Sequence, residues 1–236
     1  MFRIIRLFIS LAIYLIKSQK LMKTISKIDD RKKVELMISH EAQKWGQHTL
    51  NNAGGEVTVI GAEKLDPDET VCFISNHQSY FDILILLGFI PKPMAFLAKV
   101  EILKVPILSK WMKLMKSVFI DRKNLRQSAV AIKQATQNLK DGLSMVVFPE
   151  GTRGKEGKLG EFKHGGFKMA ISSGVPIVPV TIDGSYMFYE SKKKVKGPVK
   201  VRLVIGDLVE TKGLTKEEVL ELPDKIRGII AGNLER

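Results

Sequence analysis

From residue 56 onward the chain alternates short apolar, β-branched runs with helical stretches, and that alternation limits the available architectures more than any other feature. Residues 57–60, 71–74, 95–98, 118–120, 145–148, 177–182 and 199–205 read as strands. Between them, residues 82–87, 102–115, 125–139 and 167–173 read as helices. A last helix starts at Thr215, where Glu218 completes capping-box spacing, and Pro223 is expected to kink or split it. Several of the strand runs are apolar on both faces. The pattern therefore predicts an α/β fold with a mostly parallel or mixed central sheet flanked by helices. Open sheets of this kind collect their chemistry at strand ends.

The N-terminal 52 residues follow a different pattern. Residues 7–16 form an apolar run that falls well short of the ~20 residues a spanning helix needs. Lys17-Ser18-Gln19-Lys20 follows in place of a small-residue cleavage site, which argues against a signal peptide. On a helical wheel Arg3, Arg6, Ser10, Lys17 and Lys20 share one sector and most of the remaining surface is apolar. This is a basic amphipathic helix suited to an anionic membrane interface. A second helical stripe, Val34, Met37, Ile38, Ala42 and Trp45, weakens at Gly46 and ends among Asn51, Asn52, Gly54 and Gly55. The expected organisation is an N-terminal amphipathic two-helix hairpin over 1–52 that meets the membrane through 1–27, followed by an α/β domain over 53–236. The formal net charge of +13 calls for a polyanionic partner. More than half of the excess lies in residues 1–33, on a strongly apolar segment, and no nucleic-acid-binding motif is recognisable, so the expected partner is a membrane surface and not nucleic acid. The single cysteine, Cys72, has no intrachain partner, which makes a reducing compartment the simpler expectation.

The first candidate site is the polar octet Ser75-Asn76-His77-Gln78-Ser79-Tyr80-Phe81-Asp82, set between two apolar runs. His77 and Asp82, at a strand end, suit proton handling; taken alone, a hydrogen-bonded core histidine and a helix-start aspartate fit as well. Later strand ends carry Asp121-Arg122 and Pro149-Glu150-Gly151-Thr152-Arg153, and Val175-Pro176-Ile177-Val178-Pro179-Val180 frames another strand. In this order, Asn76 to Asp82, Phe119-Ile120-Asp121-Arg122, Phe148 to Arg153, and Val175 to Val180 resemble the four blocks of the glycerolipid acyltransferase family, in particular its 1-acylglycerol-3-phosphate acyltransferases. The resemblance covers about residues 70–185. Lys116, Gly154 and Ser109 depart from it, standing where the family often has glycine, serine and glycine.

The resemblance implies an acyltransferase that moves a fatty chain from a thioester of coenzyme A or acyl-carrier protein onto the sn-2 hydroxyl of lysophosphatidate, giving phosphatidate by direct attack without an acyl-enzyme. Such a reaction needs the hydroxyl proton removed, a task matched by His77 with Asp82 behind it. Arg122 and Arg153 suit the acceptor's phosphate, helped by Lys99 and Thr152. Gly151 is expected to let the backbone approach the ligand, and Glu150 to bind a glycerol hydroxyl or hold an arginine. Asn76 is expected to orient the loop or face the oxyanion, Ser79 to hydrogen-bond at the loop or helix start, and Pro176 and Pro179 to shape an edge or bent strand beside an acyl groove. No ligand cluster accompanies His77, and His40, His48 and His164 are scattered, so neither a metal nor another cofactor is expected. The expected place is the cytoplasmic face of the cell membrane, with peripheral attachment. Competing readings keep the chemistry on glycerol 3-phosphate or another lysophospholipid, replace the acceptor by water, or dispense with catalysis in a basic membrane-surface binding protein.

Overall fold

The computed structural model of the chain describes residues 19, 21–25, 27–191 and 197–234; the expected membrane helix lies almost wholly outside them, as do Lys192 to Lys196. The sheet has seven strands, β1 (Gly55–Ile60), β2 (Cys72–Ser75), β3 (Met94–Lys99), β4 (Val118–Ile120), β5 (Ser144–Val147), β6 (Ile177–Asp183) and β7 (Val199–Ile205), in the order β1-β7-β6-β2-β5-β3-β4. Neighbours run parallel throughout except for β6 against β7. The fold is the mixed, largely parallel sheet that the apolar runs predict. Because β2, β3, β4, β5 and β6 share one direction, the loops that follow them emerge at a single edge.

Alternation along each central strand divides its side chains between two apolar layers. Phe73, Phe96, Val146, Val178 and Val180 face one layer, together with Ala42 and Leu50 of helix α1 (Arg31–Asn52) and Ile85 and Leu86 of α2 (Asp82–Phe89). Cys72, Ile74, Ala95, Met145 and Ile177 face the other, packed with helices α4 (Leu125–Lys140), α5 (Lys168–Ser173) and α6 (Lys216–Gly232). Helix α1 does not weaken at Gly46. A Cβ there would stand 2.5 Å from the Leu84 carbonyl oxygen and 2.9 Å from the Gly88 Cα, so the glycine is where α1 and α2 cross closely.

The helix expected over 102–115 is interrupted. A 3-10 turn over Val100–Lys104 ends at Val105, whose φ of −101° and ψ of 97° are extended, and α3 (Pro106–Leu114) begins at the proline. A residue preceding proline is pushed out of helical geometry, and proline tolerates the first helical position. At the C-terminus the opposite holds. Thr215 and Glu218 form the expected capping box, yet α6 runs unbroken through Pro223, which lies buried in it. The packing of Leu222, Ile226 and Ile230 against the sheet holds the helix together across the missing backbone donor.

Strand β6 also departs from expectation. It lies inside the sheet between β7 and β2, so Pro176 and Pro179 mark no edge. Pro176 precedes the strand and its carbonyl accepts from the Cys72 N–H. Pro179 stands one residue before the first β6–β7 pair, Val180 with Ile205, where the missing donor leaves the β7 ladder intact.

Candidate active site

His77 follows β2 and Asp82 opens α2, and the octet folds so that the His77 ring nitrogen Nδ1 lies 2.7 Å from Asp82 Oδ2. Asp82 is wholly buried, and its carboxylate is held on every side: Oδ2 also accepts from the backbone N–H groups of Gln78 at 2.7 Å and Ser79 at 2.9 Å, and Oδ1 accepts from the Ser185 hydroxyl at 2.5 Å. These donors offset the cost of taking a carboxyl group out of water. The His77 ring is stacked on Phe148, with centroids 4.1 Å apart and planes 19° from parallel. Its Nε2 makes no hydrogen bond among the described residues, and the side chain is 18% exposed. The arrangement fixes one ring nitrogen on a carboxylate and leaves the other without a hydrogen-bond partner among the described residues.

The later blocks hold this loop through their backbones and side chains. The Gly154 N–H donates to the His77 carbonyl at 2.7 Å. Glu150, buried at the end of β5, accepts from the His77 N–H at 2.7 Å and the Gly160 N–H at 2.8 Å. This corrects the expected role of Glu150. Both its oxygens accept from backbone donors of the loops, and no arginine is bonded to it among the described residues. Burial pushes its carboxyl above the ordinary value of 4.5, with the N–H groups of His77 and Gly160 pulling the other way.

Asn76 is similarly committed. Its amide donates to the Ile182 carbonyl and accepts from the Ile182 N–H, both at 2.8 Å, which ties β2 to β6. Buried and paired with backbone in this way, it orients the loop. Ser79 donates its hydroxyl to Glu190 at 2.7 Å and accepts from the Phe81 N–H at 3.2 Å. Cys72 is buried in the sheet, where desolvation pushes its thiol far up.

The two arginines approach from separate strand ends. Arg122, after β4, donates through Nη1 to the Gly151 carbonyl. Gly151 has φ 75°, and a Cβ on it would collide with the Arg122 guanidinium. The bare glycine therefore admits a neighbouring arginine, where the sequence suggested a ligand. Arg153 donates through Nη1 to Glu190 Oε1 at 2.7 Å, and its guanidinium carbon stands 3.5 Å above the Tyr80 ring. Lys99, at the end of β3, pairs with Glu101 at 2.8 Å, and the field of Glu101 also reaches Arg122. Thr152 is exposed on the same loop. Among the described residues no group of three or more His, Cys, Asp or Glu side chains is arranged to hold a metal ion.

Two residues outside the four blocks complete the site: Ser185, bonded to Asp82, and Glu190, bonded to Arg153. Both follow β6, whose glycine Gly184 turns the chain at φ 93°. The rule that drew attention to the other strand ends applies to this one too; a serine and a glutamate without a recognisable block around them carried no further signal.

Residues 56–183 match the family model described as Acyltransferase. The chain is 44% identical over 148 residues to a probable 1-acyl-sn-glycerol-3-phosphate acyltransferase of Mycoplasma pneumoniae, which covers 61% of this chain and 55% of that protein. A probable 1-acyl-sn-glycerol-3-phosphate acyltransferase of Mycoplasma genitalium is 36% identical over 189 residues, 75% of this chain and 70% of its own length. The chain thus spans between half and three quarters of these two relatives. Among solved structures, the 1-acyl-sn-glycerophosphate (LPA) acyltransferase PlsC from Thermotoga maritima superposes with a TM-score of 0.84 at 30% identity, covering 97% of this chain and 92% of that one.

Proposed function

Since the chain belongs to the acyltransferase family, we propose that it transfers a fatty acyl group from a thioester to the sn-2 hydroxyl of 1-acylglycerol 3-phosphate, forming phosphatidate. The observation that carries the reading is the His77–Asp82 pair at 2.7 Å with Nε2 turned away from every described partner. His77 Nε2 takes the hydroxyl proton as the oxygen attacks the thioester carbonyl carbon. The carbon–sulfur bond then breaks, and the proton passes to the departing thiolate. Asp82 holds the ring and stabilises the imidazolium formed in between.

Direct attack fits the surroundings of the two other candidate nucleophiles. The Ser79 hydroxyl is committed to Glu190, and the Cys72 thiol is buried with its ionisation suppressed. Arg122 and Arg153 bind the acceptor's phosphate, with Lys99 and Thr152 at the margin, as the charge-assisted forks that a dianion requires. A narrow apolar cleft lined by Ala42, Trp45, Ile83, Leu87, Trp111 and Met112 lies beside α2, whose first residue is Asp82; with about 30 Å³ of free space it takes a fatty chain only if its lining parts. The donor is a thioester of coenzyme A or of acyl-carrier protein. The protein works at an anionic membrane surface that it meets through residues 1–27, peripherally and from the cytoplasmic side. No helix among the described residues is long and apolar enough to cross a membrane.

The test incubates the purified protein with vesicles, lysophosphatidate and labelled acyl-coenzyme A or acyl-carrier protein, with glycerol 3-phosphate and acceptor-free arms in parallel. Phosphatidate should form, and His77→Ala should lower the rate ~10²- to 10⁴-fold. An unchanged rate in His77→Ala refutes the base assignment; product only with glycerol 3-phosphate refutes the acceptor.

A further inference from the structure

Glu190 belongs to none of the four blocks, yet it touches two of them. Its side chain is only 13% exposed. Oε1 accepts from Arg153 Nη1 at 2.7 Å and from the Tyr80 N–H at 3.3 Å, while Oε2 accepts from the Ser79 hydroxyl at 2.7 Å. Two of these donors belong to the octet that carries His77, and the third is the arginine of the loop after β5. A carboxylate that merely neutralised a surface arginine would not need to be buried or to engage the backbone of a separate loop.

Tyr80 completes the arrangement. Tyr80 is exposed, and its ring lies under the Arg153 guanidinium, so the arginine is fixed from below by an aromatic face and from one end by Glu190. Arg153 Nε and Nη2 make no hydrogen bond among the described residues, and these donors remain for an anion.

We propose that Glu190 is a positioning residue that locks Arg153 to the His77 loop, so that an acceptor gripped by its phosphate presents its hydroxyl at a set distance from the imidazole. The proposal rests on the reading of Arg153 as a phosphate ligand. Two effects of removing Glu190 oppose one another: a negative charge near the phosphate disappears, and a long side chain loses its fixed geometry. The charge effect is the smaller one, because the carboxylate is already matched by one guanidinium and two further donors. The geometric effect is the larger, because a displacement of about 1 Å between bound substrate and catalytic group is enough to reduce a rate ~100-fold.

The experiment measures acyl transfer to lysophosphatidate on vesicles for the full chain, Glu190→Gln, Glu190→Ala, Arg153→Ala and the double variant Glu190→Ala/Arg153→Ala, with melting temperatures alongside. Glu190→Gln nearly preserves shape, so it separates positioning from folding. The expected result is a kcat/KM loss of ~10- to 100-fold in Glu190→Ala, a smaller loss in Glu190→Gln, and no added loss from Glu190→Ala once Arg153 is gone. Losses that multiply in the double variant overturn the proposal, as does a Glu190→Ala enzyme within about twofold of the parent. If Arg153→Ala leaves kcat/KM unchanged, the phosphate reading of Arg153 is what fails, and the proposal falls with it.

Discussion

Replacing Asp82 by asparagine separates charge from geometry at this site. Oδ2 accepts from His77 Nδ1, the Gln78 N–H and the Ser79 N–H, whereas Oδ1 meets only the Ser185 hydroxyl. An asparagine must therefore place its carbonyl oxygen at the Oδ2 position, because the amide nitrogen there would face three donors. Its NH₂ then points at Ser185, whose hydroxyl can rotate to accept. The His77 ring stays where it is, but the charge that stabilises its protonated form is gone. Opposite unit charges about 4 Å apart attract by about 4 kcal/mol at an effective permittivity of about 20. At about 1.4 kcal/mol per decade this corresponds to a ~10³-fold lower kcat. KM for lysophosphatidate should hold, since neither arginine touches Asp82. Steady-state thiol release with lysophosphatidate-bearing vesicles reads the rate, and thermal unfolding reads the fold. Asp82→Ala, by contrast, strands several buried donors and should lower both activity and melting temperature. A well-folded Asp82→Asn enzyme within tenfold of the parent kcat would refute the claim that the buried charge assists the base.

Three further outcomes follow from the same contacts. Ser185→Ala removes one of the donors to Asp82 and should lower kcat by about tenfold with KM unchanged, since a hydrogen bond to a charged group is worth about 1.5–3 kcal/mol; an unaltered kcat contradicts that role. The Glu150 carboxyl is raised above 4.5 in the fold by burial, so its contribution to stability is present below the unfolded value and is lost as pH rises through the folded one. Melting temperatures of parent and Glu150→Gln, compared between neutral pH and pH about 4.5, should therefore shift in favour of the parent as the solution is acidified; a difference independent of pH excludes the raised carboxyl. Gly46→Ala should destabilise the protein by about 1–3 kcal/mol despite alanine's better helix propensity, because the new methyl meets the Leu84 carbonyl oxygen and Gly88. Equal or greater stability on thermal unfolding would mean that α1 and α2 do not cross so closely.

The strands were legible because their signal is local: β-branched apolar runs announce themselves wherever they sit, and all seven expected runs are strands. Their order was not, because nothing in Val199–Ile205 says that it will insert between β1 and β6. Proline misled in both directions. Pro106 ended a helical pattern that periodicity alone carried through, while Pro223 failed to break one whose apolar face the sheet holds. At the site, the residue types suggested a chemistry, but many of the partners that fix those side chains come from distant positions. Glu150 reads as a ligand for an arginine until the His77 N–H is found 2.7 Å from it. Ser185 and Glu190 act on the octet from more than a hundred residues away, a separation across which one sequence carries no pattern.

These contacts also divide the site into two kinds of construction. Asp82 is buried and holds several donors in place before any substrate arrives, and His77 is fixed by Asp82, Phe148, the Gly154 N–H and the Glu150 carboxylate. The His77–Asp82 pair thus needs no ligand to take the shape the proposed mechanism uses. The arginines are different. Each is long, belongs to a loop, and is held at one end: Arg122 by a carbonyl, Arg153 by Glu190. On the proposed function, changes around them should alter which phosphate-bearing acceptor is gripped and how far its hydroxyl stands from His77, without disturbing the His77–Asp82 pair. On that proposal, selectivity is a property of the loops after β4, β5 and β6, and reaction type a property of the octet after β2.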